Sequence, residues 1–323
     1  MIPKKNLCGR GGAFPGFNAY VPLDFELEQK FTSGARFGIL SGVSVFGLKA
    51  AMYGCGIWGE RAKEYTKEIR FDRIMRWTGY LLDEERPLIG KILLFLPALI
   101  GCKVKLSPEF KRVLSKYLSW TEFYNARVAD ELYICIANQY EFGVLSGSKK
   151  ITGFRDIYRV MKNNGKFEWM AENIHPYFGA KDGWYSWTPK KLFHKISDTI
   201  TPLHELVYGT FCNPALKKKV FVIKTGHKKY LKIRAFDGGA VNNHANLVFS
   251  GINSAKPFDV VGCYPAPAKE DNFSDWHYFK ARPFQGKYHY LPPTNPDLDF
   301  FGFTNAQIDA AYDRQRPPSN IFG

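Results

Sequence analysis

"FGILSGVSVFGLKAAMYGCGIW", residues 37–58, is an apolar run of 22 residues interrupted by a single charge, Lys49. A helix crossing the ~30 Å hydrocarbon core of a bilayer takes about 20 apolar residues, so the run is long enough to span. A central lysine costs roughly 2.5–3.5 kcal/mol on insertion scales. Each Leu, Ile, Phe or Val returns about 0.3–0.6 kcal/mol, so the balance is close to zero for an isolated helix. Helical geometry tips it. Gly38, Ser41, Gly42, Val45, Lys49, Met52 and Gly56 fall on one face, which includes the close-approach pattern Gly38-x-x-x-Gly42. The expectation is a transmembrane helix over 37–58, with Gly38, Gly42, Lys49 and Gly56 packed against a partner helix and Lys49 paired with an acidic side chain or a backbone carbonyl of that partner. The competing reading is a buried helix of a soluble fold, in which Lys49→Leu would be harmless or stabilising.

The surrounding composition suits either setting. The chain of 323 residues is 45% apolar and 16% aromatic, enough for a substantial core. Net charge is +15, concentrated in residues 101–250, which hold 24 Lys/Arg against 12 Asp/Glu. Residues 251–323 hold 7 against 8, so the positive field belongs to the middle of the chain. Such a field favours anionic lipid head groups, nucleic acid or an acidic partner. The six cysteines are never closer than 33 residues, which excludes a local zinc knuckle or CxxC pair and leaves reduced, structural thiols as the expectation. The N-terminal stretch MIPKKNLCGRGGAFPG is basic and acid-free, but its prolines and glycines speak against an amphipathic targeting helix.

The organisation expected is α+β, with a helix-rich N-terminal half. Residues 1–36 read as an extended arm and a short helix, 37–58 as the span, 59–264 as a basic α/β body and 265–323 as an extended Pro/aromatic-rich tail lying along neighbouring surfaces. Within the body, helices are expected over 60–86, 109–120, 122–140, 154–163 and 197–211. A β-hairpin is expected over 217–236, turning at Thr225-Gly226-His227, inside a small β region ending near 264.

No motif announces a reaction. GRGGAFPG lacks the Lys-Ser/Thr of a phosphate loop and follows no expected strand, so it reads as a flexible arm. His204-Glu205 is not completed to HExxH, and His194, His204, Cys212 and His227 match no ligand spacing. Gly143-Val144-Leu145-Ser146-Gly147 misses the Gly-x-Ser-x-Gly nucleophile elbow by one residue. Asp297 and Asp299 sit in a proline-rich tail with nothing to raise a carboxyl pKa. No catalytic residue, metal or cofactor is expected.

Two roles remain. The first is a non-catalytic accessory subunit of a large membrane assembly, its place inferred to be the mitochondrial inner membrane, with other subunits and anionic lipid as partners. The second is a basic structural component of a ribonucleoprotein or virus particle. There Lys217, Lys218, Lys219, Lys224, Lys228, Lys229, Lys232 and Arg234 on the hairpin would contact nucleic acid.

Overall fold

The computed structural model describes residues 4–69, 75–77, 80–81, 105–106, 108–143, 150–162, 167–174, 190–194, 202–212, 219–226, 229–237, 245, 257–263, 286–293, 304–313 and 319–322. Residues 37–58 are not one helix. They split into a strand, β2 (Arg36–Val43), and a helix, α3 (Ser44–Gly54), joined at a sharp turn. No helix among the described residues is long and apolar enough to cross a membrane. The physical reason for the misreading is burial on all sides. A central parallel strand loses its period-2 alternation because both faces are covered, and Val45 to Gly54 of the following helix are buried all round. Strand and helix concatenated look like one span.

The packing expected of Gly38, Gly42, Lys49 and Gly56 is corrected accordingly. Gly38 and Gly42 belong to β2, Lys49 to α3, and Gly56 follows α3 at φ +73°, a left-handed turn position. Gly42 is needed because a Cβ there would run into the backbone of Phe46 and Gly47, where α3 folds back over the end of the strand.

The expected α+β class gives way to a sheet with a parallel centre. β1 (Lys4–Gly9) pairs in parallel with β2, and β2 with the first part of β6 (Ala129–Gly143). On the other side of β1, parallel pairing continues through β12 (Asp259–Gly262) to β13 (Tyr288–Tyr290). The order β13-β12-β1-β2-β6 reverses direction at β1. Beyond β6 the sheet turns antiparallel through β7 (Lys150–Lys162), β8 (Phe167–Ile174) and β9 (Lys190–His194). A separate antiparallel set joins β3 (Met75–Trp77), β4 (Tyr80–Leu81) and β5 (Lys105–Leu106).

Several local expectations change with this. The presumed flexible arm supplies β1 to the centre of the sheet, with α1 (Ala13–Ala19) and α2 (Val21–Thr32) behind it. Expected helix 122–140 is α6 (Trp120–Ala126) followed by β6, and 154–163 lies in β7. The remaining described helices are α4 (Gly59–Ile69), α5 (Pro108–Tyr117), α7 (Leu203–Thr210) and α8 (Asn305–Asp313). β10 (Lys219–Gly226) and β11 (Lys229–Asp237) pair antiparallel, and β11 also joins β6, so this hairpin extends the main sheet instead of forming a small unit of its own.

Lys49 finds its acid inside the same chain. Its Nζ lies 2.6 Å from Asp24 Oδ2 on α2, and both side chains are wholly buried. Tyr312 on α8 donates to the same oxygen at 2.6 Å, and Tyr53 donates to Oδ1 at 2.7 Å. The Phe17 ring lies 3.9 Å from the ammonium, a cation–π contact. Burial, with Asp24 adding to it, holds the Tyr53 phenol well above its ordinary pKa, so it stays a donor. The chain end is tied to α2 as well. Glu26 accepts from the Ser319 hydroxyl and from the N–H groups of Ile321 at 3.2 Å and Phe322 at 2.6 Å. Phe322 packs against Phe31 and Phe37. The described part of the tail thus lies along its own core.

Candidate active site

Where β2 ends and α3 begins, Ser44 adopts φ +52°. Left-handed backbone is rare for a side chain other than Gly, Asn or Asp, and costs on the order of 1–3 kcal/mol, so it persists only where its surroundings impose it. The surroundings here are specific. Val43 is extended at φ −133°, ψ 146°, and α3 starts immediately after it. Ser44 donates its N–H to Thr210 Oγ1 at 2.8 Å. From Ile39 to Cys55 every other residue is buried, while Ser44 is partly exposed. A strained strand-to-helix turn thus lifts one hydroxyl out of an otherwise enclosed segment, the geometry of a nucleophile elbow. The Ser44 Oγ makes no hydrogen bond to another described residue.

The register brings a carboxylate to this turn. β2 runs along one edge of β6 and leaves it at the pair Val43–Cys135. β11 enters the same edge antiparallel and ends at the pair Asp237–Ile136. The ladder position that Ser44 would have taken, had the strand continued, is therefore filled by Asp237. Asp237 is fixed by its N–H, which donates to the Cys212 carbonyl at 2.7 Å. The chain beyond it returns to β2 at Ala245, whose carbonyl accepts from the buried Ser41 hydroxyl at 2.7 Å. Among the described residues, Asp237 is the titratable group that the sheet places beside Ser44. His289 sits on β13, three strands from β2, or about 14 Å at ~4.8 Å per strand.

Backbone donors lie on the third side. Gly9 pairs with Gly42, so the chain after β1, Arg10-Gly11-Gly12, runs beside Val43 and Ser44. A Cβ on Gly9 would overlap the Phe46 ring, and one on Gly16 would lie 3.1 Å from Val45 Cγ1, so α1 and α3 start in close contact. The first N–H groups of a helix have no intrahelical partner. Val45 and Phe46 belong to that first turn of α3, directly after Ser44, and the partial positive charge of the α3 N-terminus favours an anion there. The site also sits at the carboxyl ends of the parallel strands, beside the place where strand order reverses, which is where open α/β sheets bind ligands.

The residues singled out in the sequence are distributed otherwise. Lys219, Lys224, Lys229, Lys232 and Arg234 fall on β10 and β11, while Lys217, Lys218 and Lys228 lie outside the described residues, as do Ser146, Asp297, Asp299 and His227. His204 and Glu205 are at the start of α7, where Glu205 pairs with Lys111, and Cys212 follows its far end. No group of three His, Cys, Asp or Glu suited to a metal occurs among the described residues.

Sequence reasoning missed Ser44 and Asp237. Gly42-Val43-Ser44-Val45-Phe46-Gly47 carries the first glycine and the serine but has Phe46 where the second glycine of the motif stands. The structure explains the substitution, since Gly9 on the neighbouring strand makes the room that Phe46 takes. The second signal was Asp237-Gly238-Gly239 at the end of an alternating strand.

The thiols of Cys55, past the far end of α3, and Cys263 do not act as nucleophiles. Burial pushes both Cys55 and Cys263 up to about 12, far above the range in which a thiolate forms at neutral pH. Native protein treated with iodoacetamide at pH 8 should leave both unmodified, with full labelling after denaturation, as read by peptide mass mapping.

Fold and site together define an open α/β sheet with a serine on a strand-to-helix elbow and an aspartate in register beside it. No protein-family model matches the chain, and no curated protein matches it in sequence.

Proposed function

We propose that the protein is a serine-dependent acyl hydrolase in which Ser44 is the nucleophile and Asp237 the general base. The observation that carries this reading is the left-handed Ser44 at the β2–α3 turn, with Asp237 in the next ladder position. In the first half-reaction Ser44 Oγ attacks the ester carbonyl carbon as Asp237 takes its proton. The negative charge that develops on the carbonyl oxygen faces the Val45 N–H and the Gly11–Gly12 loop, an oxyanion hole of backbone donors. Collapse of the tetrahedral intermediate breaks the C–O bond to the leaving alcohol, which takes the proton from Asp237. Water then attacks the acyl-serine, giving a proton to Asp237. Collapse of the second tetrahedral intermediate breaks the acyl–Oγ bond as Asp237 returns that proton to Ser44 Oγ, releasing the acid and restoring both residues.

The accessory-subunit reading drew its membrane placement from a span over 37–58, and without that helix it has no structural observation behind it. Hydrolysis of p-nitrophenyl butyrate by the purified protein, set beside Ser44→Ala, tests the proposal. Ester cleavage that disappears with the hydroxyl supports it, and equal rates would remove it.

A further inference from the structure

We infer that Thr210 is a positioning residue for this reaction, and that the short segment Thr210–Cys212 is the brace that sets Ser44 against Asp237. The inference rests on the Ser44–Asp237 reading and extends it to the residues that hold the two in place. Two hydrogen bonds carry it. Thr210 Oγ1 accepts the Ser44 N–H at 2.8 Å, and the carbonyl of Cys212, two residues on, accepts the Asp237 N–H at 2.7 Å. Ser44 opens α3 and Asp237 ends β11, yet both are anchored by the main-chain N–H to one three-residue stretch.

That stretch is itself held firmly. Thr210 and Cys212 are wholly buried, and α7 is seated by buried Leu203, Leu206 and Val207. The Phe211 ring packs against Phe110 with centroids 5.4 Å apart. The close approach of Thr210 to α3 depends on Gly47, since a Cβ there would press on Thr210 Cγ2 at 3.0 Å. The methyl of Thr210 therefore fixes the side chain against the first turn of α3 while its oxygen fixes the Ser44 amide. A left-handed serine is retained only if its surroundings over-determine it, and among the described residues the bond to Thr210 holds Ser44 from outside its own strand and helix.

Misplacing a reacting group by about 1 Å can cost on the order of 100-fold in rate. Thr210→Val keeps shape and methyl contacts but removes the acceptor, whereas Thr210→Ser keeps the acceptor. With p-nitrophenyl butyrate as substrate, Thr210→Val should lower kcat by about 10- to 100-fold with KM changed by less than about twofold, because the loss is in transition-state geometry and not in binding. Labelling of Ser44 by a fluorophosphonate should slow in parallel, and Thr210→Ser should restore both. A folded Thr210→Val with wild-type kcat, or a Thr210→Ser as slow as Thr210→Val, would overturn the inference. Should Thr210→Val fail to fold, Thr210→Cys, similar in size with only a weak sulfur acceptor, gives the same comparison. Ser44→Ala separates the two levels. If it keeps activity, the nucleophile assignment fails and the brace with it. If it is inactive while folded Thr210→Val is unimpaired, the brace alone fails.

Discussion

Ser44→Ala is expected to lower the hydrolysis of an activated ester by at least about three orders of magnitude, with the fold unchanged. In a well-studied serine hydrolase, knocking out the nucleophilic serine or its general base alone costs on the order of 10⁶ in kcat. Ser44 is partly exposed and its hydroxyl supports no described neighbour, so its removal touches chemistry and little else. Alanine at φ +52° is no more strained than serine there. Asp237→Asn should cost nearly as much, because the amide keeps shape and backbone bonds but cannot accept the proton. Initial rates beside unchanged thermal melts check both. Equal rates for wild type and Ser44→Ala would dismiss the serine. A strong loss in Ser44→Ala with none in Asp237→Asn would dismiss only the base.

The second large effect concerns Lys49. In a soluble core an unpaired lysine would be better replaced by leucine, but this lysine is paired. Both it and Asp24 are fully buried, and Asp24 gathers the ammonium and two tyrosine hydroxyls. Removing one partner of a buried pair leaves the other charge uncompensated, typically at a cost of about 3–5 kcal/mol. Lys49→Met should therefore destabilise by about that amount in urea unfolding. Lys49→Met combined with Asp24→Asn should recover much of the loss, because the neutral amide still accepts from Tyr53 and Tyr312 while no charge is left buried. A double variant as unstable as the sum of its singles would argue against a coupled pair. The cluster joins α2, α3 and α8, five residues along α3 from Ser44, and so anchors the helix that presents the elbow.

How far the sequence disclosed this protein depends on the signal used. Periodicity identified the amphipathic segments of α4 and α5, whose polar faces are exposed, but the single helix expected over 60–86 is wrong beyond Ile69, where β3 and β4 take up 75–77 and 80–81. It failed for β2 and α3, because residues buried on every side carry no period, and hydropathy alone cannot place a turn between them. Lys49 was legible as a residue in need of a partner, an acid or a carbonyl, but that partner was sought on another subunit. Its partner, Asp24, is 25 positions earlier and has no sequence mark of its own. The glycines after β1 were read as an arm because KKNLCG, half basic and polar, does not resemble the central strand it forms. Ser44 was hidden by the same apolar run, and Asp237 becomes its neighbour only through β6, to which both strands pair. Non-local register of that kind is not written in any local pattern.

The most direct measurement is covalent labelling of the purified protein with a fluorophosphonate, followed by peptide mass mapping. An activated serine attacks phosphorus and expels fluoride, leaving a stable adduct on the nucleophile. The account predicts one adduct, on Ser44, formed rapidly in the wild type and much more slowly in Asp237→Asn. A protein that hydrolyses esters but carries its adduct elsewhere, or takes up no label at Ser44, would contradict it.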